Sequence, residues 1–297
     1  MADVLSRGTL FNEQITNELF NLVAGKSSIA KLSNREAIPF NGKEVFTFDF
    51  ENEIDVVAEN GKKSHGGIKY EPVKMVPIKV EYGARISDEF LYGSEEYQIK
   101  VLKDFNEGFA RKLAKGLDLM AFHGINPRTG EASSVIGDNS FEGKVTGNVQ
   151  EVENLEDPIG VLESASGQVL AGDREVTGMA IAPELSTAIG RLNNNGVRLY
   201  PEFMFGTTPD NLNGITIDSN STVANKGNSV AFVGDFANRF KWGYAKDVTT
   251  RVIEFGDPDN SGKDLQGYNQ VYIRAEAYLG WGIIDPESFA VVKKAQA

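Results

Sequence analysis

The stretch Val76-Pro77-Ile78-Lys79-Val80-Glu81-Tyr82-Gly83-Ala84-Arg85-Ile86-Ser87-Asp88-Glu89-Phe90-Leu91 changes its period part-way along. Up to Ile86 the apolar residues take every second place. Val76, Ile78, Val80, Tyr82, Ala84 and Ile86 share one face, and Lys79, Glu81, Gly83 and Arg85 share the other. That is a strand with one buried face. From Ser87 the pattern turns helical. Ser87 or Asp88 can serve as N-cap, acidic residues suit the first turn, and Leu102, Phe105, Phe109, Leu113, Leu117 and Met120 follow at steps of three or four. The spacing predicts one helix of about 30 residues, stopped at His123-Gly124. Gly93, Gly108 and Gly116 fall inside it, each at a cost of about 1 kcal/mol against alanine, so close packing or a bend is expected at them.

Upstream, Phe46, Phe48 and Phe50 alternate with Thr47, Asp49 and Glu51, and residues 59–67 are polar and glycine-rich. Two alternating runs around a polar tip predict a long β-hairpin, from the phenylalanines to the run at 76–86. An isolated hairpin is marginal in water, so this one needs a partner surface in its own domain or on another subunit. Residues 1–42 read as an arm with local helix, from Phe11, Ile15, Leu19, Leu22 and Val23.

Downstream, residues 131–150 look strand-like with glycine punctuation. Asp157-Pro158 opens a helix, Thr177–Ala182 is a short buried strand, and Pro183-Glu184 starts a helix to Leu192. Gly214–Asp218 is another strand. From Val230 the chain is strand-rich, with Val271, Ile273, Ala275, Ala277 and Leu279 alternating against Tyr272, Arg274, Glu276 and Tyr278. The class is α+β, with no internal repeat.

The 297 residues suffice for one large domain or two ordinary ones, and 41% hydrophobic with 24% charged residues is a globular composition. Cysteine is absent, which excludes disulfides, thiolate nucleophiles and cysteine-based metal sites. Only His65 and His123 could supply imidazole. A net charge of −12 argues against a protein that coats nucleic acid with its whole surface. No apolar run approaches the ~20 residues that span a bilayer, and Met1–Leu5 shows no signal-peptide pattern, so synthesis and residence in the cytoplasm are expected.

The motifs for chemistry fail one by one. Gly25-Lys26-Ser27 resembles the end of a phosphate loop, but the required earlier glycine is Phe20. Gly280-Trp281-Gly282 lacks the third glycine of a dinucleotide fingerprint, because Asp285 stands there. Asn220-Ser221-Thr222 is a glycosylation sequon that needs a secretory route. Glu95-Glu96, Glu151/Glu153 and Asp257/Asp259 are possible acid–base pairs, each also readable as a solvated turn. Asp257, Asp259 and Asp264 do not match EF-hand spacing. No catalytic residue, cofactor or metal is therefore expected. Lys100, Lys103, Arg111, Lys112 and Lys115 recur along the helix, interrupted by Asp104 and Glu107. They read as a solvated face or as a non-specific face for packaged nucleic acid.

Four stretches together resemble the major capsid proteins of tailed bacteriophages, the Hong Kong-type capsid fold. They are Val80–Leu91; Phe122-His123-Gly124 with Asn126-Pro127 and Thr129-Gly130; Val233-Gly234-Asp235-Phe236 with Trp242-Gly243; and Gly256-Asp257-Pro258-Asp259 with Asn269–Gly282 and Asp285–Phe289. The resemblance implies an N-terminal arm at 1–42 and an extended hairpin, the E-loop, at 43–84. It further implies a peripheral domain at 85–149 and 235–297, with the long helix as its spine, and an axial domain at 150–234. It implies hexamers and pentamers of an icosahedral head enclosing double-stranded DNA, assembled in a bacterial host's cytoplasm with a separate scaffolding protein and a portal. Phe46, Phe48, Phe50, Lys62, Lys63 and Asn260 become subunit-contact candidates, and Lys100, Lys103, Arg111 and Lys115 DNA-facing candidates. Some members join an E-loop lysine to a peripheral-loop asparagine. Lys62 or Lys63 and Asn260 have those residue types, but no assisting carboxylate is placed. The alternatives are an encapsulin-type compartment shell and, in another class, an α+β enzyme with a carboxylate site.

Overall fold

The structure is a computed structural model describing residues 26–50, 52–224 and 228–295. The helical spacing at Phe11–Val23 lies outside the described residues.

Strands β1 (Lys43–Phe50) and β2 (Ile68–Met75) form an antiparallel two-stranded ribbon, with Lys43 opposite Met75 and Phe50 opposite Ile68. The hairpin therefore closes on 68–75, not on the alternating run at 76–86. That run, β3 (Ile78–Ser87), pairs instead with β12 (Gln270–Ile283), Ile86 against Val271 and Ile78 against Leu279. The ribbon's second strand therefore ends at Met75, short of the residue 84 expected for the hairpin. Pro72 explains why β2 is faint in sequence. It lacks an N–H, lies opposite Phe46 and suits only an unpaired edge. Val76-Pro77 marks the step from ribbon to sheet.

The helix begins later than its caps suggested. A single turn, α2 (Glu89–Tyr92), stops at extended Gly93, and α3 (Glu95–His123) starts behind Ser94, whose hydroxyl accepts from the Tyr97 amide. Gly93 is thus a break between helices. Gly116 faces the Pro127 ring, where an added Cβ would stand 3.4 Å away in ordinary contact, and Gly108 has no neighbour there. The 29 residues of α3 span about 43 Å and end on left-handed Gly124. Its buried face carries Leu102, Phe109, Leu113, Leu117 and Met120, as expected.

Beyond α3, residues 131–150 are mostly turns. Ser140 caps the short α4 (Phe141–Lys144), and only β4 (Val149–Val152) is extended. Then come α5 (Pro158–Leu170), capped by Asp157, β5 (Gly178–Ile181) and α6 (Pro183–Arg191). A loop excursion follows with β6 (Asn193–Asn194), β7 (Val197–Arg198) and a 3-10 turn at Pro201–Gly206. β8 (Asn211–Leu212), β9 (Ile215–Ser219), β10 (Ser229–Gly234), β11 (Phe240–Ile253), β12 and β13 (Phe289–Lys294) complete the chain.

Two sheets organise these pieces. β11, β12 and β3 lie side by side, with β12 in the middle; a six-stranded mixed sheet runs β4-β13-β10-β5-β9-β8. β13 pairs with both β10 and β4, so the last strand belongs with the 150–234 elements and not, as expected, with the spine helix. One continuous core joins both regions. Phe122 stacks on Phe232 at 4.4 Å, and fully buried Phe141 contacts Phe240 and Phe289 at 5.2 and 4.9 Å between ring centroids.

Residues 35–38 strap the outside of β11. The Glu36 amide donates to the Trp242 carbonyl at 2.8 Å and the Ile38 amide to that of Tyr244 at 3.4 Å. The strap fits because Gly243 has no side chain: an added Cβ would lie 1.6 Å from the Glu36 carbonyl oxygen. Gly243→Ala is expected to displace the strap, lowering the melting temperature by about 5 °C, which corresponds to ~3 kcal/mol, and exposing the strap to proteolysis.

Candidate subunit-contact surface

The β1–β2 ribbon has two apolar faces, because side chains alternate across a strand. Val45, Val73 and Met75 point one way. Met75 is fully buried, and a Cβ added at Gly282 of β12 would lie 2.7 Å from its side chain. The other face carries Phe46, Phe50, Ile68 and Tyr70. Phe46 stacks on Tyr70 with ring centroids 4.8 Å apart, yet Phe46 is 49% exposed, Ile68 57% and Phe50 77%. The Phe48 backbone is in register opposite Tyr70; its side chain lies outside the described ones. At the tip Ile54 and Val56 are exposed, the Asn52 side chain accepts from the Gly67 amide at 3.1 Å, and Lys62, Lys63 and His65 face solvent. Burying a large apolar side chain stabilises by about 1.5–3 kcal/mol. Four such half-to-fully exposed groups on one ribbon therefore offer roughly 4–8 kcal/mol gross to a partner surface.

The loop 256–264 joins β11 to β12 and is held by one cation. The Arg85 guanidinium on β3 donates to Asp259 through Nε at 2.9 Å, and through Nη2 to Asp257 at 2.7 Å, to the Ser261 hydroxyl and to the Lys263 carbonyl at 2.8 Å. Asp257 in turn accepts from the Ser261 and Gly262 amides at 3.0 and 2.7 Å. Arg85 beside it holds the Asp259 carboxyl well below the usual carboxylate range. Asp264 faces elsewhere, accepting from Gln266 and Gly267. The three aspartates of the loop therefore do not converge on a cation. Asn260 stands exposed at its crest with φ 52°. Arg85→Ala is expected to release the loop: hydrogen exchange at Ser261 and Gly262 should accelerate while the α3 amides keep their protection.

Lys100, Lys103, Arg111, Lys112 and Lys115 all lie on the exposed face of α3; Asp104 is also exposed there and Glu107 half-buried. The segment from Arg111 to Lys115 is the most cationic part of that face.

The buried polar groups form internal networks. His123 is packed at the end of α3, its Nε2 donating to the Thr222 carbonyl at 2.8 Å and its Nδ1 lying 3.0 Å from Glu142. Ser229 donates to the same Glu142 oxygen. The carboxylate thus sits between hydroxyl and imidazole, so the imidazole cannot take the hydroxyl proton as a nucleophile's base must. His123 and Ser229 both hold the Glu142 carboxyl below its ordinary value, against burial that raises it.

Asp118, which belongs to no sequence motif, is wholly buried in α3. It accepts from the Ser27 hydroxyl at 2.5 Å, the Ser28 and Ile29 amides at 3.0 and 3.2 Å, the Thr222 hydroxyl at 2.8 Å and the Asn220 side chain at 3.3 Å. It ties α1 (Ser28–Leu32) and the 220–222 turn to the spine helix. The phosphate-loop-like Gly25-Lys26-Ser27 and the sequon Asn220-Ser221-Thr222 both supply donors to this one carboxylate. Its signal was a lone acid inside the apolar run Leu113–Phe122. Glu95 and Glu96 occupy the exposed first turn of α3, and Glu151 and Glu153 are exposed. Among the described residues no group of three or more His, Asp or Glu could hold a metal ion. Nor is any helix long and apolar enough to cross a membrane.

An outward apolar ribbon and a polar loop held by Arg85 suit a structural subunit that meets other chains. Comparison with known proteins agrees. The model of the phage capsid family matches residues 7–294. A solved structure from Mycobacterium phage Ogopogo is 32% identical, with 91% of this chain and 92% of that chain covered and a TM-score of 0.78. Two more distant structures share the fold. One, from Gordonia phage Cozz, is 23% identical over 92% of this chain and 87% of its own, with a TM-score of 0.69. The other, a capsid of a native GTA particle computed with C5 symmetry, is 12% identical over 92% and 91%, with a TM-score of 0.63. No curated protein matches. The chain belongs to the phage capsid family and is a structural major capsid protein of the phage head.

Proposed function

We propose that this subunit closes into hexamers and pentamers of an icosahedral head around double-stranded DNA, and that it is not an enzyme. The outward face of the β1–β2 ribbon carries the reading. Phe46, Phe50 and Ile68 leave about half or more of their surface in water, and only a neighbouring copy repeated around a closed lattice covers such a face on every subunit. Phe48 belongs to the same strand face by register. The N-terminal arm, the ribbon as E-loop, the α3 spine with the β11–β12–β3 sheet as peripheral domain, and the six-stranded sheet with its excursion as axial region divide the work. Lys62 and Lys63 at the tip, and Asn260 on the Arg85-held loop, serve as polar contacts to neighbours. A covalent lysine–asparagine bond needs a carboxylate to manage the lysine proton, and the loop's own Asp257 and Asp259 are engaged by Arg85.

The exposed cations Lys100, Lys103, Arg111 and Lys115 face the packaged DNA as a sequence-independent counter-charge in this reading. A separate scaffolding protein and a portal complete the head, which assembles in the host cytoplasm. Sedimentation of purified subunits tests the closure, since shells sediment far ahead of a 32.4 kDa chain. Reversing Lys103, Arg111 and Lys115 to glutamate is expected to spare shell formation while lowering the DNA retained per head as salt is raised.

A further inference from the structure

We propose that Phe205 is a pre-formed knob that seats against the Val197–Leu199 strip of the next copy around each ring. The inference rests on the ring assembly proposed above. Two observations on the excursion between α6 and β8 carry it. The first is an exposed aromatic held in an unfavourable backbone state. Phe205 has φ 57° and ψ 26° and is 96% exposed. A bulky side chain with positive φ is an outlier that persists only where its surroundings fix it.

The base of the turn is fixed. Phe203 is 2% exposed in the core, and its carbonyl lies where a Cβ on Gly190 would approach to 2.8 Å. The Thr207 hydroxyl also lies 2.6 and 2.7 Å from the Glu202 and Met204 carbonyl oxygens and donates its one proton between them. The tip is thus aimed by its base, and nothing among the described residues packs on the ring it presents.

The second observation is charge. In sequence the knob lies between two exposed acids, Glu202 and Asp210, with no base from 201 to 210; Asp210 meets Lys31 at 3.2 Å, yet its side chain remains 87% exposed. The other exposed apolar patch on this excursion, Val197 at 68% and Leu199 at 53%, is flanked by the bases Arg191 and Arg198, with Arg198 folded back onto the Arg191 carbonyl. A ring is closed by heterologous contacts, in which two different patches of each copy meet. A knob in an acidic stretch of sequence and a strip in a basic one on the same loop form such a pair, and their charges oppose. Two copies meeting face to face on the same patch would instead set like charges together.

The test uses the intact chain. Phe205→Asn keeps a residue that tolerates the left-handed region and removes the ring. The unassembled variant is expected to melt at the wild-type temperature or slightly above it, while the concentration needed for assembly rises at least about tenfold. A residue needed only for folding would lower both. Because the chain has no cysteine, Phe205→Cys combined with Leu199→Cys reports the contact directly. Assembled, oxidised particles should give a ladder of dimers up to closed rings on a non-reducing gel, absent from either single variant. Wild-type assembly threshold in the asparagine variant, or intact shells of the double cysteine variant that run only as monomers, overturns the knob and leaves shell assembly standing. Failure of the wild-type chain to assemble both alone and beside its scaffolding protein overturns both readings.

Discussion

Replacing residues 51–67 by an Asn-Gly turn is expected to leave a folded subunit that builds no normal shell. The replacement keeps the Phe50–Ile68 pair and closes β1 onto β2 with the two-residue loop that antiparallel strands favour. It removes Ile54 and Val56, each 95% exposed, and the Lys62–Lys63 tip, none of which contributes to the core. The melting temperature of the unassembled subunit should therefore stay within about 2 °C of wild type, since exposed residues away from the core change stability little. Assembly should fail, because two apolar anchors alone contribute about 3 kcal/mol or more per subunit when buried on a neighbour, and the loss repeats at every contact of a closed lattice. Circular dichroism and sedimentation on the same sample separate the two effects. Normal shells from the shortened hairpin would show that the tip is dispensable.

Asp118→Asn is expected to be the most damaging single substitution of a polar group. Its carboxylate satisfies five donors on two segments; an amide offers one oxygen and turns its N–H2 toward groups that also donate. A loss of about 2 kcal/mol at pH 7 follows, felt first as undocking of α1. The pH dependence has a definite sign. Burial pushes the Asp118 carboxyl up to about 6, above its unfolded value near 3.8, while the donors pull it back only part of the way. The folded state thus holds this proton more tightly. The associated stability is fully present below about pH 4 and is lost as pH rises through 6, a change of about 3 kcal/mol. The gap between wild type and Asp118→Asn should therefore widen on acidification from pH 7 to pH 4. Glu142, Glu276 and Asp285, whose carboxyls are held low by His123, Lys79 and Arg174, titrate in both proteins and cancel in the difference. Urea unfolding at several pH values measures it, and a gap that narrows toward pH 4 would show that Asp118 stays ionised.

Local pattern reached some features and missed others for identifiable reasons. The spine helix was legible because its stripe from Leu102 to Met120 and its glycine stop are local signals. The alternation of Phe46, Phe48 and Phe50 marked β1 as a strand with one apolar face, but alternation alone reads as a buried face, and the exposure of Phe46 and Phe50 emerges only in the fold. Strand partners were not legible. The 76–86 run alternates just as a hairpin arm does, and nothing within it records that its partner is residues 270–279, far along the chain. The true arm, β2, was masked by Pro72, which an edge strand tolerates. Gly93 was counted as a cost inside one helix when it separates two. Asp118 was invisible for a different reason: a buried carboxylate is defined by donors brought from residues 27–29 and 220–222, which only the fold assembles.

The central claim is tested most directly by negative-stain electron microscopy of the wild-type chain expressed alone, and again beside its scaffolding protein. Closed shells, or free rings of five and six subunits, are the predicted result, and nucleic acid inside rather than a protein cargo marks them as heads. A monomer that forms neither rings nor shells under either condition would contradict the account.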